Sequence, residues 1–296
     1  MAFNNLPYQT PLPLPEENEY VRQTLRMSQS VAESSRCVLD VAYGKDPKQK
    51  LDIYLPGKEA SHSEMPVLIF AHGGGFTHGY KEMMGFMAPP ITSLPAVFIS
   101  IGYRLAPQNR YPRPLHDCFD ALEWVYRNIE EFGGSRERLF VGGHSAGGHL
   151  MSLITLRRDL LSDRELPSDI IKACFPVSGI FDIRRENPKL VDLIGYYHEH
   201  FLKKSEDEIE ASPITHVFGN RTPFFITYGS NDMPLMIYNG EAMIESLKNQ
   251  PCLLKHHVFT NFDHLKMNYD QGRPDSLWVK LAYSWMMVRK SKENRV

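Results

Sequence analysis

Five short, mostly apolar runs constrain the fold of this 296-residue chain more than any other feature. They are Val67 to Ala71, Ala96 to Ile101, Leu139 to Gly142, Ile171 to Phe175 and Phe224 to Tyr228. A strand with one wet face alternates apolar and polar residues. These runs do not, so both of their faces must be covered, as in a parallel sheet. Parallel neighbours need crossovers of a dozen or more residues, usually helical. Leu115, Cys118, Phe119, Leu122, Val125, Tyr126 and Ile129 recur with the helical period and stop at Gly133-Gly134. Similar stretches run over Ala146 to Leu156, Leu235 to Leu247 and Ser276 to Val288. The expectation is an α/β fold on one doubly wound, mostly parallel central sheet with helices on both faces.

Two segments break this rhythm. Residues 1–36 open proline-rich, from Asn4 to Pro15, and continue into a mildly amphipathic stretch through Tyr20, Val21, Leu25 and Met27. They read as an arm or short helix laid on a body of residues 37–296. Ile180 to His216 carries Phe181, Leu190, Val191, Leu193, Ile194, Tyr196, Tyr197 and Phe201 out of strand-helix order, as a small inserted cap over one edge of the sheet would. Ahead of the first apolar run, Leu51, Ile53 and Leu55 alternate with Asp52 and Tyr54, the pattern of a half-buried strand, closed by Pro56-Gly57.

Composition narrows the function. Thirty-three Lys and Arg against 35 Asp and Glu give a net charge of -2, with no long run of one sign, so no nucleic-acid or anionic-lipid partner is expected. The apolar runs fall far short of the ~20 residues that cross a bilayer, and no basic-then-apolar leader is present. A soluble, cytoplasmic protein is therefore expected. Cys37, Cys118, Cys174 and Cys252 form no C-x-x-C pair and read as buried thiols of a reducing compartment, with neither a disulfide framework nor a zinc site. The sequon Asn220-Arg221-Thr222 then carries no meaning.

Gly143-His144-Ser145-Ala146-Gly147 lies directly after one expected strand and directly before one expected helix. A serine on such an elbow has its hydroxyl pushed into the open, and the flanking glycines let the turn close without Cβ clashes. His72-Gly73-Gly74-Gly75-Phe76 follows the strand ending at Ala71. Residues without side chains let backbone N–H groups approach the oxyanion of an acyl-transfer intermediate. A phosphate loop would need lysine after the second glycine of its motif, but Gly79 is followed by Tyr80. A plain glycine turn is the remaining alternative.

These motifs, together with Asp52-Ile53-Tyr54-Leu55-Pro56, Tyr103-Arg104-Leu105-Ala106-Pro107, Tyr111-Pro112 and Ser145-Ala146-Gly147-Gly148-His149-Leu150, resemble the α/β-hydrolase esterases with an HGGG motif. That family spans hormone-sensitive-lipase-like and kynurenine-formamidase-like groups, and the resemblance runs from Val38 onward. It implies an α/β-hydrolase fold and a Ser, Asp, His triad in that chain order. It also implies an oxyanion hole from the N–H groups of Gly74, Gly75 and Ala146. The sequence departs from both groups. The formamidase-like group usually has tryptophan where Phe76 stands; the lipase-like group has aspartate where His144 and Gly102 stand.

The residues themselves suggest the acid and base. Asp232 follows the strand Phe224 to Tyr228 directly, where a triad acid belongs; its alternative role is a turn or capping residue ahead of a helix begun by Pro234, and Asp182 is the reserve. His264 lies beyond the strand Leu254 to Thr260, whereas His256 and His257 lie inside it. His72, His144 and His149 are expected to hold structure. His198, Glu199 and His200 could grip a metal, although a surface segment is the simpler account and no metal or cofactor is expected. Three functions follow: a serine carboxylic ester hydrolase for small to medium acyl esters, an arylformamidase, or a non-catalytic receptor for small molecules. A homodimer is compatible with apolar helices at the sheet edge. A histidine base works only unprotonated, so activity is expected to fall on acidification.

Overall fold

An eight-stranded sheet runs through the molecule in the order β1-β2-β4-β3-β5-β6-β7-β8. It was obtained as a computed structural model that describes residues 3, 5–12, 15–57, 64–185 and 191–287. Helix α1 (Pro15–Ser34) comes first, then β1 (Cys37–Ala42), β2 (Lys50–Tyr54) and β3 (Met65–Ala71). A 3₁₀ helix (Lys81–Met87) leads into α2 (Ala88–Thr92), β4 (Val97–Ile101), α3 (Arg113–Asn128), β5 (Gly134–His144) and α4 (Ala146–Leu156). Then come α5 (Arg158–Ser162), β6 (Ile171–Val177), α6 (Val191–His200), β7 (Phe224–Gly229), α7 (Pro234–Lys248), β8 (Leu254–Phe259), α8 (His264–Tyr269) and α9 (Leu277–Met286). β1 and β2 pair antiparallel with their neighbours; from β4 to β8 every pairing is parallel.

The apolar runs are buried on both faces, as their lack of alternation requires. In β3, Val67, Ile69 and Ala71 face a layer of α3, α4 and α7, while Leu68 and Phe70 face α1, the 3₁₀ helix, α2, α8 and α9. The second layer is aromatic: Phe70 meets Trp278 edge-on at 6.1 Å and Phe140 stacks on Phe175 at 5.8 Å. Burying each such ring contributes about 2–3 kcal/mol.

Three expectations, for β2, the N-terminal helix and the thiols, need correction. β2 is not half-buried, because Asp52 and Tyr54 are as enclosed as Leu51 and Ile53. The 3₁₀ helix covers their face, and its Lys81 ammonium lies 2.8 Å from Asp52 Oδ1. β1 has no legible alternation because its register with β2 shifts between Val38 and Val41, around Asp40 at φ 59°. The N-terminal helix has 20 residues and buries Tyr20, Thr24 and Ser28, whereas Met27 is exposed. The small Thr24 and Ser28 permit close approach to the 3₁₀ helix, whose Phe86 N–H donates to Ser28 Oγ at 2.8 Å. Of the thiols, Cys118 and Cys174 are buried, but Cys37 and Cys252 are only half-buried; none is paired.

Asn4, Leu190 and Val288 lie outside the described residues, as do the side chains of Val191, Leu193 and Ile194. Among the described residues no helix is long and apolar enough to cross a membrane. Asn220 is buried and closes a turn, its side chain bonded twice to the Thr222 backbone.

Candidate active site

Ser145 connects β5 to α4 with φ 55° and ψ -120°, outside the regions open to most L-residues. Holding it there costs about 1–3 kcal/mol. The surroundings leave no alternative. A Cβ on Gly147 would lie 2.1 Å from the Ala71 carbonyl oxygen, and one on Gly143 would lie 2.4 Å from the Gly147 carbonyl carbon. The Ser145 N–H donates to Val177 O at 2.9 Å, which fixes the elbow to β6. Ala146 is the first residue of α4, so its N–H is one of those a helix leaves unpaired, at the positive end of the dipole.

The loop after β3 lies against this elbow. A Cβ on Gly73 would approach His144 Nδ1 to 3.0 Å and Ser145 Cβ to 3.1 Å. Gly74 and Gly75 follow at φ +115° and +58°, and Gly74 O receives the N–H groups of Thr77 (3.1 Å) and His78 (2.9 Å). His72 anchors the loop as expected: its Nδ1–H donates to Gly73 O at 2.7 Å, its ring stacks on Tyr103 at 4.4 Å, and the Tyr103 hydroxyl donates to His72 O. Burial pushes His72 down to about 4, so it is neutral. Phe76 stacks on Phe201 at 3.8 Å, which ties the loop to the segment between β6 and β7.

His264 opens α8, capped by the Asp263 side chain on Lys266 N–H. Its Nδ1 lies 2.9 Å from Asp232 Oδ1. Asp232 also accepts the Met233 N–H on Oδ1 and the Ser178 hydroxyl on Oδ2. Burial would raise this carboxyl, but His264, Ser178 and the Met233 N–H outweigh it and hold Asp232 below the ordinary range. Asp232 does not cap α7, whose N-cap is Met233. His144 brings the two halves together. It precedes Ser145, and its Nε2 lies 2.9 Å from the His264 carbonyl, which can only accept, so Nε2 carries the proton. The two imidazoles lie 4.5 Å apart. Burial, with repulsion from His264, pushes His144 down to about 3.

The other candidates lie apart. Asp182 pairs with Arg184 at 2.8 Å. His256 is exposed and His257 half-exposed on β8. His149 Nδ1–H donates to Ile180 O at 2.9 Å. His198 is not on the surface: it is buried, with Nε2 3.1 Å from both Ile183 O and Glu208 Oε2. His200 faces Glu199 at 3.9 Å, and among the described residues no three acidic, His or Cys side chains gather to hold a metal.

Sequence reasoning missed Ser178. It is fully buried at φ 49° directly after β6, and a serine-glycine pair at the end of a buried strand was the available signal. A cavity of about 480 Å³ lies across the β3 loop from Ser145, between His72, Tyr103 and residues 5–10, and Ser145 does not line it.

The model of the BD-FAE family matches residues 51–247, more than half of the chain. The chain belongs to the BD-FAE family. This BD-FAE member is 34% identical over 221 residues to the esterase LipC of Mycobacterium tuberculosis, covering 70% of its own length and 54% of LipC. It is 31% identical over 194 residues to a kynurenine formamidase of Danio rerio, covering 64% of itself and 61% of that enzyme. The BD-FAE chain thus spans about half the length of LipC. Among solved structures, a hyperthermophilic esterase from the archaeon Pyrobaculum calidifontis superposes with TM-score 0.74 at 20% identity, over 90% of this chain and 91% of that one. The fold is that of an α/β-hydrolase.

Proposed function

We propose that the protein is a serine carboxylic ester hydrolase for small to medium acyl esters, working through an acyl-enzyme. The observation that carries this reading is the linkage of Asp232, His264 and His144 to the strained Ser145 elbow. In the proposed cycle neutral His264 takes the Ser145 proton as Oγ attacks the ester carbonyl, while Asp232 holds the imidazole and offsets its charge. The N–H groups of Gly74, Gly75 and Ala146 receive the oxyanion, each worth on the order of 3 kcal/mol in the transition state. His264 then protonates the departing alkoxide, and water, deprotonated by the same imidazole, releases the acid. No step needs a metal or cofactor.

Residues 1–36 act in this reading as an arm on the body of residues 37–296, and residues 180–216 as its cap. The half-buried free thiols Cys37 and Cys252 favour a cytoplasmic setting. A homodimer is compatible with this reading.

The likeness to a kynurenine formamidase supports a second reading, hydrolysis of an aryl formamide by the same residues. A fluorophosphonate probe should label wild type at Ser145. Ser145→Ala should lower turnover of p-nitrophenyl esters by on the order of 10⁴ to 10⁶ with an unchanged fold. An N-formyl arylamine in the same assay separates ester from formamide. Ligand binding without labelling or turnover would discard both readings in favour of a receptor.

A further inference from the structure

A chain of hydrogen bonds crosses the molecule beside the proposed oxyanion donors. The Tyr196 hydroxyl on α6 lies 2.6 Å from Thr77 Oγ1, Thr77 Oγ1 lies 2.8 Å from His78 Nδ1, and His78 Nε2 lies 3.2 Å from Thr10 Oγ1 in the N-terminal segment. A hydroxyl has one proton to give, and a neutral imidazole gives one and accepts one. The chain is therefore satisfied with its protons all running one way, either from Tyr196 to Thr10 or from Thr10 to Tyr196. Thr77 is also bound by its N–H to Gly74 O, so whatever fixes Thr77 fixes the loop that carries Gly74 and Gly75.

The ring of the same tyrosine has a second consequence. A Cβ on Gly74 would run into the His78 carbonyl oxygen at 2.2 Å, but among the described residues one on Gly75 would meet only Tyr196 Cε1, at 3.6 Å. Gly75 therefore looks toward this aromatic ring, with room for one added carbon between them. If the Gly74 and Gly75 N–H groups hold the substrate carbonyl oxygen, as in the esterase reading, one of its substituents comes next to that ring. The leaving oxygen must lie near His264 to be protonated, and His264 packs against His144 rather than α6, so the group beneath Tyr196 is the acyl chain.

Resting on the esterase reading above, we propose that Tyr196 is a specificity-determining residue: its ring limits the acyl group, and its hydroxyl, through Thr77, positions the oxyanion loop. The test compares p-nitrophenyl acetate with p-nitrophenyl octanoate, and acetates of increasing alcohol size, on the full chain. Tyr196→Ala should raise the octanoate-to-acetate ratio of kcat/KM by about tenfold. It should leave the alcohol series unmoved. Tyr196→Phe keeps the ring, so the ratio should stay within about twofold while kcat on acetate falls about three- to tenfold at unchanged KM. Thr77→Val should repeat that fall, and the double variant should be no worse than either single one.

A purely structural tyrosine would depress both esters alike. An unmoved acyl ratio in Tyr196→Ala, a shift in the alcohol series instead, or additive losses in the double variant would overturn the proposal. Should Tyr196→Ala not fold, Tyr196→Leu carries the same ratio measurement. Wild type and Ser145→Ala run alongside. Absence of Ser145-dependent hydrolysis removes the esterase reading itself, whereas an active wild type with an unmoved ratio removes only the role of Tyr196.

Discussion

Asp52 on β2 and Asp232 after β7 are both shut away from solvent, and each faces a basic partner: Lys81 Nζ at 2.8 Å and His264 Nδ1 at 2.9 Å. Their acidities nevertheless move in opposite directions. Burial pushes Asp52 up to about 6 despite Lys81, with Glu82 adding a like charge, while Asp232 is held low. The difference lies in the donors. Asp232 has partners on both oxygens, but Asp52 Oδ2 has none, and Lys81 is shared with Asp40 at 3.0 Å and Glu82 at 2.6 Å. One divided cation does not keep a buried carboxylate a firm anion; donors on each oxygen do.

The sharpest way to break this contrast is to neutralise each acid in turn. Asp232→Asn should cost about 10⁴-fold in kcat through the wrong imidazole tautomer. Asp52→Asn keeps a carbonyl oxygen for Lys81 and should leave kcat within about twofold. Steady-state kinetics on the pair decides, and equal losses would erase the distinction. Removing the shared cation comes next. Lys81→Met strands two buried carboxylates, Asp52 and Glu82, and should destabilise the fold by about 3–5 kcal/mol at pH 7 in urea titrations, less below pH 6, where Asp52 can take up a proton.

Acidification tests the charge balance without mutation. Burial pushes His72 down to about 4, and His144 and His149 to about 3, so each binds its proton in the unfolded chain first. Stability present above the ordinary histidine value of about 6.5 is therefore lost as pH falls through and below it. Asp52 works in the opposite direction, since its folded form takes a proton near 6. Three groups outweigh one, and the net loss between pH 6.5 and 5 should be on the order of 3 kcal/mol, read from thermal melts. A rise in stability over that window would mean the histidines are solvated. The smallest effect concerns the second oxygen of Asp232: Ser178→Ala should lower kcat/KM about tenfold, the worth of one hydrogen bond to a charged group, with the melting temperature little changed.

What could be read in advance follows the range of the interactions involved. Ser145 and the β3 loop were legible because glycine spacing is a local record of close approach, here of Gly147 to Ala71 O. Asp232 and His264 were legible from their places after strands. Ser178 was not, because its meaning depends on the loop after β7 arriving 54 residues later. Asp52 looked like the wet side of a strand because the lysine that covers it stands 29 residues on. His198 looked superficial because nothing local announces that Ile183 O and Glu208 close around it.

An added methyl group on Gly147 would meet the Ala71 carbonyl oxygen at 2.1 Å, and one on Gly73 would press on His144 and Ser145 at 3.0–3.1 Å, so the floor of the site cannot be redesigned piece by piece. The segment between β6 and β7 is different: among the described residues it meets the β3 loop through side chains, including the Phe201 ring and the Tyr196 hydroxyl. A laboratory seeking new substrates for this scaffold would therefore keep the glycines untouched and exchange the helix above them.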